Sequence, residues 1–201
     1  MVDEIERLAI ARAKALFGTE HANVQADSGS SANFAVLQAL CAPGDCALGW
    51  DFAHGGHPSH YAPETVSGRF SDGHACHVRR EDRLVDLDEV AELARRHRPK
   101  VIFVGWSCDA RHVDYGAFRA IADEVGAFLV ADMARIAGLV AAGLHPDPVG
   151  VRTAPSPCTR PWAGRARAPS WRAPSSPGAS TRRSSPARRA ARFPMSSPRP
   201  R

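Results

Sequence analysis

The sequence predicts an α/β fold, a three-layer sandwich built on a largely parallel sheet. Two patterns carry that reading. Helical periodicities alternate with buried-looking apolar runs of four to five residues, which is the signature of strands covered by helices on both faces. Polar clusters follow the carboxyl ends of those runs, where ligands bind in such sheets. A third observation limits the prediction to the first 150 residues, because the composition changes at Val151.

The elements read in order as follows. Val2–Phe17 carries Ile5, Leu8, Ala9, Ala13 and Leu16 at helical spacing and predicts an amphipathic helix. Residues 22–25 form a short extended piece. Ser28-Gly29-Ser30-Ser31 opens a second helix whose apolar positions are Phe34, Val36, Leu37 and Leu40, and Pro43-Gly44-Asp45 is a turn. Cys46–Trp50 predicts a strand, followed by a glycine-broken loop over 53–60 and another strand near 76–78. Residues 86–97 predict a helix with Val90, Leu93 and Ala94 inward, and Val101–Val104 a buried strand. Tyr115–Val125 predicts a further helix and 127–131 the next buried strand, which ends at Asp132.

Charge divides the chain in two. Residues 1–150 hold 21 acidic and 14 basic side chains, a net of −7, whereas residues 151–201 hold 12 Arg, 10 Pro and 9 Ser with no Lys, Asp or Glu. The first part is long enough to bury a real core. The second has too few apolar residues to offset chain entropy and predicts a disordered tail. An Arg-rich tail on an acidic platform is a reading in its own right, a non-enzymatic module that holds nucleic-acid phosphates. The tail lacks the repeated aromatic–basic pattern that base stacking uses, so nucleic acid is not the expected partner. Five cysteines without a C-x-x-C pair point to free thiols in a reducing cytoplasm. No leader segment and no apolar run of 18 residues is read, so no membrane partner is expected.

Three clusters carry candidate chemistry. Asp27-Ser28-Gly29-Ser30-Ser31 puts hydroxyls and unpaired amides at a helix start, which suits a phosphate. Ordinary N-capping explains the same residues. His54-Gly55-Gly56-His57-Pro58-Ser59-His60 spaces imidazoles three apart. A metal site, a ring lying on a flat heterocycle and a plain solvated loop all remain open there. Asp132 is a carboxylate delivered by a buried strand to the mouth of the sheet. It could hold a pyridinium N–H or cap the following turn.

Taken together these strings resemble serine hydroxymethyltransferase, a pyridoxal-phosphate enzyme of fold type I with an aspartate-aminotransferase-like large domain. The resembling segments are Ala22-Asn23-Val24-Gln25, Ser28-Gly29-Ser30-Ser31-Ala32-Asn33, Pro43-Gly44-Asp45, Ala53-His54-Gly55-Gly56-His57, and Ala131-Asp132-Met133-Ala134-Arg135 continuing to Pro146. The resemblance implies a partial pyridoxal-phosphate-binding large domain over 1–150. Ser28, Gly29 and Ser30 would hold the cofactor phosphate. His57 would stack on its ring, Ser107 approach the ring hydroxyl, and Asp132 pair with the ring nitrogen. Serine and glycine would be the substrates, tetrahydrofolate the co-substrate, and a homodimer the assembly.

Three departures accompany the resemblance. Arg135 stands where the family has His, which puts a fixed cation beside the cofactor. Met1 enters where the family's first large-domain helix begins, so the preceding arm is expected to be absent. The family's His-Lys-Thr segment, whose Lys carries the cofactor as an aldimine, does not occur; Lys14 and Lys100 are the only lysines, and neither matches it. Any bound pyridoxal phosphate would therefore be non-covalent at best.

The tail has a reading one base out of register. Joining the last base of each codon to the first two of the next, Cys158 through Ala168 permits His-Lys-Thr-Leu-Gly-Gly-Pro-Arg-Ala-Gly, and Trp162-Ala163 forces the first Gly. Arg189 through Pro198 permits a second family-like string. Residues from about Val151 are accordingly expected to be a frameshifted translation.

Overall fold

The computed structural model describes residues 1–151 and 154–156. Most of the region read as a tail lies outside the described residues.

The sheet consists of β1 (Cys46–Trp50), β2 (Asp72–Cys76), β3 (Val101–Val104), β4 (Phe128–Asp132) and β5 (Ala154–Ser156), all parallel and ordered β2-β1-β3-β4-β5. The helices are α1 (Val2–Phe17), α2 (Gly29–Leu40), α3 (Val66–Phe70), α4 (Leu87–His97), α5 (Tyr115–Val125) and α6 (Ala137–Ala141). Alternate residues of a strand point to opposite faces, and the core divides accordingly. Leu48, Trp50, Ile102, Val104, Leu129 and Ala131 pack with Val90 and Ala94 of α4 and with Phe118 and Ala122 of α5. Ala47, Val101, Phe103 and Val130 face the other way, onto Val36 and Leu37 of α2. Helices thus cover both faces of the sheet, and the predicted three-layer α/β sandwich is what forms.

The chain steps from β1 out to β2, then returns across β1 to β3. The reversal falls between β1 and β3, and the loops leaving the carboxyl ends of β1, β3 and β4 converge there, which is where ligand crevices open in such sheets.

Several details differ from the sequence reading. The strand expected near 76–78 lies earlier, at Asp72–Cys76, and Val78 makes only an isolated antiparallel bridge to Val85. Asp72-Gly73-His74 looks like turn chemistry because β2 is an edge strand with one partner, and an edge needs no continuous apolar run. The helix read from residue 86 starts at Leu87, since Asp86 is its N-cap and accepts the Glu89 amide. The sheet continues past residue 150 through β5, where Val130, Ala131 and Asp132 pair with Ala154, Pro155 and Ser156. The largest difference is α1, in which no residue is buried and Ile5, Leu8 and Leu16 are 51–62% exposed. Its periodicity is real, but no described element covers the face.

Candidate functional site

The start of α2 is a capping box. The Ser28 hydroxyl accepts the Ser31 amide while the Ser31 hydroxyl accepts the Ser28 amide. Capping therefore does occur, as one of the two readings held. It leaves the Gly29 and Ser30 amides without partners among the described residues, pointing out of the positive end of a 12-residue helix. Both consequences come from one motif, and neither displaces the other.

The loop after β1 is shaped by its glycines. Gly55 takes φ 97, open only to a residue without a side chain. A Cβ on Gly56 would lie 2.0 Å from the Trp50 carbonyl oxygen. That close approach folds the loop back over the end of β1. The Gly55 carbonyl accepts the amides of Ser107 and Cys108, which ties the histidine loop to the segment after β3. Ser107 is thereby placed beside the loop that carries His57.

The solvated-loop reading of 53–60 is corrected here, because Ser59 and His60 are buried. The His60 ring stacks parallel to Phe103, with centroids 4.9 Å apart and 2° between planes. Its Nε2 lies 2.9 Å from Asp132 Oδ2. Asn33 Nδ2 donates to the same carboxylate oxygen at 2.8 Å and to Ser59 Oγ at 2.9 Å. Ser59 Oγ in turn sits 2.8 Å from Nδ1 of the half-buried His57. The other carboxylate oxygen, Asp132 Oδ1, accepts the Ala134 amide at 2.9 Å. One polar chain runs from His57 through Ser59 and Asn33 to Asp132 and His60.

Electrostatics follow from this geometry. Burial alone would raise the Asp132 carboxyl, but the His60 and Asn33 hydrogen bonds and the Ala134 amide outweigh it and hold the group below the ordinary carboxylate range. His57 is pushed down, first by burial and then by the charge of His60, while Asp132 pulls the other way and Arg135 adds the smallest downward push. Arg135 itself is exposed at the rim, three residues past Asp132. Among the described residues no group of three or more His, Cys, Asp or Glu side chains could hold a metal ion. No described helix is long and apolar enough to cross a membrane.

The fold thus gathers His57 and Asp132 into one network, joins Ser107 to it through Gly55, and brings the start of α2 to it through Asn33. Three participants received no individual role from the sequence: Asn33, and Ser59 and His60 within the histidine cluster. A signal existed for Asn33, which shares the buried face of α2 with Ala32, Val36 and Leu37. A polar residue at a core position needs partners.

Comparison with known proteins agrees with this architecture. The family model for serine hydroxymethyltransferase matches residues 1–159. The chain is 56% identical over 150 residues to the serine hydroxymethyltransferase of Synechococcus sp. (strain JA-3-3Ab), covering 75% of this chain and 35% of that protein. It is 57% identical over 148 residues to serine hydroxymethyltransferase 2 of Mycobacterium tuberculosis (strain ATCC 25618 / H37Rv), covering 74% and 35%. The serine hydroxymethyltransferase of Nocardia farcinica (strain IFM 10152) is also 57% identical over 148 residues, covering 74% and 34%. The chain is an α/β protein on a parallel sheet and belongs to the serine hydroxymethyltransferase family, a family of fold type I. It spans about a third of the length of these curated relatives.

Proposed function

We propose that residues 1–150 form the pyridoxal-phosphate-gripping part of a serine hydroxymethyltransferase-type large domain, and that this chain holds the cofactor without a covalent bond. One observation carries the reading. A buried carboxylate, Asp132, is kept ionised at the carboxyl end of β4, with one helix turn of α2 separating its partner Asn33 from the unpaired amides of Gly29 and Ser30. Four residues of helix span ~6 Å, so an anion and a protonated ring nitrogen on one small molecule can be held together.

In this reading the Gly29 and Ser30 amides, with the Ser28 and Ser30 hydroxyls, would hold the phosphate. His57 would stack on the ring, Ser107 would meet the ring hydroxyl, and Asp132 would favour a protonated ring nitrogen. Pyridoxal phosphate supplies the electron sink that stabilises negative charge at an amino acid's α-carbon. Arg135 adds a positive charge at the rim, which favours anionic ligands and disfavours a protonated His57.

The family reaction is reversible transfer of the serine hydroxymethyl group to tetrahydrofolate, giving glycine. These 201 residues lack the amine that reaction needs. Lys14 is exposed on α1. Lys100 immediately precedes β3 and lies over the Phe128 ring, at the amino end of the sheet. Four strand residues, ~13 Å, separate it from the end where Asp132 sits. We therefore assign the chain no meaningful hydroxymethyl transfer, and we assign the residues from about Val151 to a shifted reading frame. The free thiols of Cys41, Cys46, Cys76 and Cys108 suit a reducing cytoplasm, and a homodimer is the family's assembly.

Titration of the purified chain with pyridoxal phosphate, followed by tryptophan fluorescence, tests the grip. Saturable quenching is expected, with affinity at least roughly tenfold weaker in Asp132→Asn, the scale of a lost charge-assisted hydrogen bond. Equal affinity in the two proteins would refute the assignment of Asp132. Sequencing the nucleotides across codons 148–162 tests the frame. If no single shift restores His-Lys-Thr, that part of the proposal fails.

A further inference from the structure

Asn33 is fully buried and bridges the two halves of the network with a single amide group. Its orientation is fixed by chemistry: an ionised carboxylate only accepts hydrogen bonds, so the NH2 end must face Asp132. The second N–H of that group reaches Ser59 Oγ. Ser59 Oγ therefore accepts a hydrogen bond there, and its own hydroxyl hydrogen is left to donate elsewhere. The partner within reach is His57 Nδ1, at 2.8 Å, and the Ser59 amide also donates to that nitrogen at 3.2 Å. A ring nitrogen that accepts two donors carries no proton, so the His57 proton resides on Nε2.

We propose that Asn33 is a positioning residue that sets two groups at once, the ligand-facing side of the Asp132 carboxylate directly and the Nε2–H tautomer of His57 through Ser59. This inference rests on the cofactor reading above for its functional meaning, but its geometry stands without it. With Asn33 and His60 both on Oδ2, Oδ1 of the Asp132 carboxylate carries only the Ala134 amide and keeps a lone pair to spare. With Nδ1 occupied, His57 stays a neutral, flat ring. A neutral ring stacks on an electron-poor heterocycle without adding a second positive charge to it. The charged or titratable groups facing His57 are His60, Asp132 and Arg135, and each of them is unchanged in the variants chosen below.

The test is two-bond 1H–15N correlation spectroscopy of the full chain labelled at histidine, without ligand. Wild type is expected to show His57 as the Nε2–H tautomer, neutral at pH 7. Ser59→Ala leaves only the longer backbone amide donor on Nδ1, and should therefore admit the second tautomer and raise the His57 titration midpoint. Asn33→Leu, close to isosteric, should do the same and in addition weaken pyridoxal phosphate binding by roughly tenfold, more than Ser59→Ala does. If Asn33→Leu gives no folded spectrum, Asn33→Ser replaces it, since serine cannot reach both partners. A folded Asn33 variant whose His57 tautomer and midpoint match wild type overturns the proposal, and so does an unchanged Ser59→Ala. A wild-type chain that shows the Nε2–H tautomer yet binds no cofactor sinks the functional reading and leaves this one intact.

Discussion

Asp132 is held as an anion at a depth where burial by itself would favour the neutral acid. Its three donors, from His60, Asn33 and Ala134, make the difference. The linkage has a definite sign. A carboxyl depressed in the fold contributes stability that is complete above its unfolded value of about 4, and loses it as pH falls through the folded value. His57 is depressed as well, so the unfolded chain binds its proton first, and its neutral form contributes stability that fades as pH drops below about 6.5. Urea midpoints for wild type should therefore decline from pH 7 to pH 5. His57→Phe, which keeps a flat ring and cannot titrate, should show a shallower decline over that window. An equal or steeper slope in His57→Phe would mean that the ring is not held neutral by its surroundings.

At the scale of elements, the loop after β1 depends on the missing side chain of Gly56. Alanine there would press a methyl into the backbone oxygens of Trp50 and Asp51, and neither can yield without moving β1. Gly56→Ala should cost upwards of about 2 kcal/mol in urea denaturation, within the range of strained backbone substitutions. Gly138 sits inside α6 with nothing within 4 Å of its added Cβ, so Gly138→Ala should stabilise by about 0.5–1 kcal/mol. A neutral Gly56→Ala would mean that the loop does not need its close approach. The sequence made β1, β3, β4, α4 and α5 legible, because strands buried on both faces and helices with a strong apolar stripe leave unmistakable periods. It hid β2, whose edge position asks little of its side chains. It misled on α1, since periodicity reports a face and not what covers it. The site was half legible. Asp132, His57 and the serine cluster stand out as polar groups at element ends. The connectors Asn33, Ser59 and His60 matter through contacts 26 to 99 residues distant in sequence, which no local pattern encodes.

The whole molecule joins a body of net charge −7 to an arginine-rich stretch that holds no lysine. The family likeness covers residues 1–159 and so reaches past the change of composition into β5. Neither of the chain's two lysines, Lys14 on α1 and Lys100 ahead of β3, follows the carboxyl end of a strand. The most direct test is to saturate the purified chain with pyridoxal phosphate, treat it with borohydride, and measure the intact mass and the peptide map. Our account predicts saturable binding that washes away, with no stoichiometric pyridoxyl adduct on Lys14 or Lys100. A stoichiometric adduct on either lysine, or a complete absence of saturable binding, would contradict it.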